Sequence, residues 1–60
     1  MFIELHDPNP IVININNIQA FWYDEEFDST CIVIQSNYPF RVTENYQEVK
    51  DKITKALSYM

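Results

Sequence analysis

Apolar and polar residues alternate through the first stretch of the chain. Ile3 and Leu5 point one way, and Phe2, Glu4 and His6 point the other. That period of two predicts a strand with one buried face over Phe2–His6. Asp7-Pro-Asn-Pro10 breaks the pattern: its prolines fix φ and remove donors, while Asp and Asn bond to nearby backbone. Alternation resumes over Pro10–Asn14, so the two strands are expected to form a hairpin. Asn14-Ile-Asn-Asn-Ile18 sets β-branched residues against turn-forming asparagines, which predicts a kink or single helical turn at 14–17. Ile18 then re-enters the core and starts a third strand to Asp24. If Ile18 and Phe21 both face inward, a bulge separates them and Trp22 faces outward.

Asp24-Glu-Glu-Phe-Asp-Ser29 reads as a loop. Thr30–Gln35 is β-branched at four of its six positions and apolar on both faces, the pattern of a central strand covered on each side. Ser36-Asn-Tyr-Pro39 is a turn without glycine, and Phe40–Thr43 alternates once more. The period then lengthens. Asn45 is a suitable N-cap, with Glu48 placed to close a capping box. Tyr46, Val49, Ile53 and Leu57 recur at helical steps, predicting one helix over about 45–58. Lys50, Lys52 and Lys55 lie toward its C-terminal end, where positive charge suits the dipole.

These elements predict an α+β fold: an antiparallel sheet of five short strands followed by one C-terminal helix. A helix this short needs a surface to lie on. Ile3, Leu5, Ile11, Ile13, Ile18, Ile32, Ile34, Phe40 and Val42 are expected beneath it. One helix covers one face, so Phe2, Val12, Trp22, Cys31 and Val33 are left as a candidate self-association face. A homodimer is the expected outcome; a sheet that curls to bury these residues is the alternative.

Sixty residues, nine of them aromatic, form one small folded domain whose stability is thin. No apolar run is long enough for a membrane span, and Glu4 and Asp7 interrupt any signal-peptide core. The single cysteine leaves no internal disulfide, which points to a reducing cytoplasm. The net charge is −5, and residues 1–40 carry six acids and no Lys or Arg. That argues against direct nucleic-acid binding, which needs a basic patch.

Asn14-x-x-x-Ile18, Thr30-x-Ile32-x-Ile34 and Val42-x-Glu44-Asn45-x-x-Glu48-Val49-x-x-x-Ile53 resemble the small flagellar FlbD family across residues 3–53. The family has an N-x-x-x-I step, a T-x-I-x-L strand and a V-x-E-S-x-x-E-V ending. Here Asn9-Pro10 and Ser36-Asn37-Tyr38 stand where the family tends to place glycine turns. The resemblance implies a small accessory protein and supplies no active site, cofactor or metal.

The chemistry-bearing residues are few. Asp24, Glu25, Glu26 and Asp28 lack the glycine turn of a calcium loop, so a solvated loop is expected and no metal. His6 and Cys31 could pair as base and nucleophile, but no oxyanion loop accompanies them; no catalytic residue is assigned and an enzyme is not expected. Phe21, Trp22, Tyr23, Phe27, Tyr38 and Phe40 would make a stacking platform only beside a positive groove, so most are expected in packing. Trp22 and Tyr23, with Glu25, Glu26 and Asp28, are the candidate partner-binding residues. The expected function is a non-enzymatic protein-interaction module; the alternative is an acidic inhibitor of phage or mobile-element type that mimics nucleic acid on a basic protein surface.

Overall fold

The computed structural model describes residues 1–35 and 39–58. The expected turn residues Ser36, Asn37 and Tyr38 lie outside them. Five antiparallel strands precede one helix: β1 (Phe2–His6), β2 (Pro10–Asn14), a 3-10 turn (Ile15–Asn17), β3 (Ile18–Asp24), β4 (Ser29–Ile34), β5 (Phe40–Val42) and α1 (Tyr46–Leu57). The strands fall into two sheets where the sequence predicts one. β1 pairs with β2 in a hairpin, and β3, β4 and β5 form a three-stranded sheet in that order.

The division falls at the asparagines. Asn14 Oδ1 accepts the Asn16 N–H at 3.0 Å and caps the 3-10 turn, which ends β2 and starts β3 at a new angle to the ladder. Ile15, inside that turn, is buried with the core. The register of β3 against β4 then shifts between Ile18 and Ala20. This is the expected bulge, and it lets Ile18 and Phe21 both pack on the core. β4 is the central strand. Thr30 and Ile32 are fully buried on one of its faces, and Cys31 is buried on the other.

The helix starts as its cap dictates, with Asn45 Oδ1 accepting the Glu48 N–H at 2.8 Å. Among the described residues the return bond from Glu48 to Asn45 is not made, so the capping box is half closed. Val49 and Ala56 are the buried helix residues, with Ile53 beside them. Leu57, expected to continue the stripe, is half exposed. Residues 49, 53 and 56 follow the i, i+4, i+7 line, and Leu57 sits one step past it, on the flank. Tyr46 packs at the start of α1 against Phe21, ring centroids 5.4 Å apart.

The helix lies most closely on β1 and β4, so it joins the two sheets. Ile3, Leu5, Ile13, Ile15, Ile32, Val42, Val49 and Ala56 form the buried core, and Ile11, Ile18, Ile34 and Phe40 pack against it. Each large apolar side chain fully buried here contributes roughly 1.5–3 kcal/mol. Among the described residues no helix is long and apolar enough to cross a membrane.

Candidate functional site

The tip of the β3–β4 hairpin gathers the candidate partner-binding residues. Asp24 and Ser29 close a four-residue turn over residues 25–28. Asp24 Oδ1 accepts the Glu26 N–H at 3.0 Å. Asp28, at the last turn position, has φ 48°, a left-handed conformation that Asp tolerates better than most residues. The Tyr23 hydroxyl donates to Asp28 Oδ1 at 2.6 Å. That bond raises the Tyr23 pKa above its ordinary value; burial and the charges of Asp28, Glu25 and Asp24 add to the rise. Glu25, Glu26 and Asp28 are all exposed.

Trp22 and Tyr23 do not form one patch. Successive strand residues point to opposite faces. Trp22 stands in register with Cys31, and Tyr23 with Thr30, so Tyr23 belongs to the helix-facing side and Trp22 to the other.

On the Trp22 side the acidic loop is tied back to β5. Arg41, in register with Cys31, reaches Asp24 Oδ2 at 3.5 Å and lies 4.0 Å from the centre of the Phe27 ring, a cation–π arrangement. Beside them the Cys31 thiol lies 3.8 Å from Asp24 Oδ2. Cys31 is only 5% exposed, which corrects its expected place on an open self-association face. Burial pushes its thiol pKa up and the Asp24 charge adds to the rise; Arg41 opposes them, and the hydrogen bond to Asp24 adds a smaller upward push.

The rest of the expected self-association face divides between the sheets. Phe2 and Val12 are diagonal neighbours on the outer face of the β1–β2 hairpin, and both are exposed. Trp22 and a half-buried Val33 lie on the three-stranded sheet. These are two patches on two sheets.

A second polar cluster was not expected. Glu44, between β5 and α1, is 7% exposed. Its Oε1 accepts the His6 N–H at 2.9 Å, and its Oε2 accepts from His6 Nδ1 at 2.7 Å. Lys52 Nζ lies 3.8 Å from Oε2. Burial works to raise the Glu44 carboxyl; the His6 ring, the His6 and Glu44 backbone N–H groups and Lys52 outweigh it and hold the pKa below its ordinary value. The strand alternation carries the signal for this residue: Phe40 and Val42 face inward, and two residues on so does Glu44.

His6 and Cys31 are not brought together as nucleophile and base. His6 stands in the hairpin against Glu44, and Cys31 in the three-stranded sheet against Asp24. Among the described residues, no three His, Cys, Asp or Glu side chains are grouped to hold a metal. Comparisons with family models, curated proteins and solved structures found no match.

Proposed function

We propose that the protein is a small non-enzymatic interaction module, an accessory protein of the FlbD-like kind, that docks a protein partner and pairs with a second copy. One observation carries this reading: large apolar side chains left uncovered in so small a fold. Trp22 is 41% exposed, Phe27 57%, Phe2 64% and Val12 65%. A 60-residue domain gains little margin from its core, so leaving four such residues in water is costly unless an interface covers them. Trp22 and the arginine-backed Phe27 suit a partner's docking face, because aromatics dominate binding energy. Phe2 and Val12 suit self-pairing across the outer hairpin face. A cytoplasmic setting fits the single buried thiol.

The second reading, an acidic mimic that occupies a basic surface, draws on the exposed Glu25, Glu26 and Asp28 around the same turn. Capture from a lysate of the native source separates the two. Wild type is run beside Trp22→Ser and a variant with Glu25, Glu26 and Asp28 neutralised. Loss of the captured protein with Trp22→Ser alone supports apolar docking. Loss with the neutralised loop, together with release at moderate salt, supports the mimic. Equal capture by all three rejects the hairpin tip as the docking site.

A further inference from the structure

β1 turns one edge to β2 and the other toward α1. Two bonds bracket the hairpin: Asp7 N–H to Asn9 O and Ile15 N–H to Met1 O, each 3.0 Å. The hydrogen-bonded pairs of the ladder therefore fall on odd-numbered residues of β1, and the backbone groups of Phe2, Glu4 and His6 face away from β2. His6 agrees, since its N–H meets Glu44 and its carbonyl accepts the Thr43 N–H at 2.8 Å. The Glu4 carbonyl accepts from Lys52 Nζ at 2.8 Å.

Beyond that point the edge is open. By that alternation the Glu4 N–H and the N–H and carbonyl of Phe2 lie outside the β1–β2 ladder, and among the described residues no bond from outside the ladder reaches them. Beside these three groups runs a groove of about 330 Å³, with Met1, Phe2, Ile3 and Glu4 on the strand side and Lys52, Lys55 and Ala56 on the helix side.

We infer that this groove accepts a short extended acidic peptide, which adds to the free edge of β1 as a third strand of the β1–β2 sheet. Strand addition needs a row of unpaired backbone groups for affinity and side-chain pockets beside it for selection. Both are present. The open edge matches about three peptide residues at the strand rise of ~3.3 Å each. Ile3 and Ala56 offer an apolar floor to alternate side chains of the incoming strand.

The charge preference comes from the helix wall. Two of the chain's four basic residues line this groove against one carboxylate, Glu4, which lies 3.9 Å from His6 Nε2. Lys52 is engaged by Glu44, so the preference rests on Lys55, which makes no ion pair among the described residues. A second copy is a poor occupant. The acidic stretch of the chain is held as a turn by Asp24 and Tyr23 and offers no extended strand. The groove shares no residue with the Trp22 hairpin and does not depend on that docking face. It shares Phe2 with the outer hairpin face proposed for self-pairing, but uses the backbone edge of Phe2 where self-pairing would use its exposed ring.

The test uses isotopically labelled full-length protein and two blocked pentapeptides, one alternating valine with glutamate and the other valine with lysine. The glutamate peptide is expected to slow amide exchange at Glu4 and Phe2 about tenfold, and the lysine peptide to leave it unchanged. Lys55→Glu is expected to weaken the glutamate peptide about fivefold with the remaining amide spectrum preserved. Unchanged exchange at saturating peptide, or equal effects of both peptides, overturns the inference. Protection of Glu4 that grows with protein concentration alone also overturns it, by placing a second copy on the edge.

Discussion

His6 holds Glu44 by two bonds, from its ring and from its own backbone N–H, across a separation of 38 residues. The contact fastens the end of β1 to the segment that launches α1. It is reinforced by the Thr43 N–H bonded to the His6 carbonyl and by Lys52, which reaches both Glu44 and the Glu4 carbonyl. A carboxylate this buried is tolerable because donors meet both of its oxygens.

The Glu44 carboxyl is held below its ordinary value of 4.5 in the fold, so the unfolded chain takes up this proton more readily. Stability from this group is complete above about pH 4.5 and is lost as pH falls through the lower folded value. Urea midpoints measured from about pH 6 down to about pH 3 should therefore drop for wild type. In Glu44→Gln the fall should be shallower. Glu44→Ala should cost about 1–3 kcal/mol at neutral pH, because it strands the buried partner groups. Identical pH slopes for wild type and Glu44→Gln would exclude this role.

Cys31 should behave as an inert core thiol. It is buried, its pKa is raised, and thiolate is the reactive form. Labelling by a thiol reagent should be slow in the native protein, and its rate should track transient opening as denaturant is added. Prompt labelling of the native state would mean that Cys31 is accessible.

Thr30 carries a cost that can be removed. It is fully buried beneath the helix-facing side of β4, and its Oγ1 has no hydrogen-bond partner among the described residues. Thr30→Val replaces the hydroxyl with a methyl of similar size at a β-favouring position. The expected gain is about 1 kcal/mol in chemical denaturation. A loss of stability would indicate that the hydroxyl is satisfied in solution.

The elements were legible where local chemistry decides them. Asn45 marked the helix start, the asparagines at 14–17 marked the 3-10 turn, and the conflict between Ile18 and Phe21 required the bulge. The split into two sheets was less visible, because the same residue pattern suits one sheet or two and the new direction is set within the turn. Leu57 was misplaced by extending the helical stripe to a flank position that the sheets do not reach. At the candidate site, the exposure of Trp22 and the acidic turn could be read from the chain. The tie from Arg41 to Asp24 and Phe27 and the clasp of His6 on Glu44 could not, since each joins residues brought together only by strand pairing. The inward alternation of Phe40, Val42 and Glu44 was the one local clue to the second.

The position of α1 in the chain also bears on synthesis. Neither sheet buries its apolar face without the helix, and a two-stranded hairpin alone is marginal in water. On a ribosome the strands emerge before the segment that covers them. Ile3, Leu5, Ile32 and Val42 therefore remain open to solvent or to a chaperone until Val49 and Ala56 have cleared the exit tunnel, and folding should be completed in a single late step.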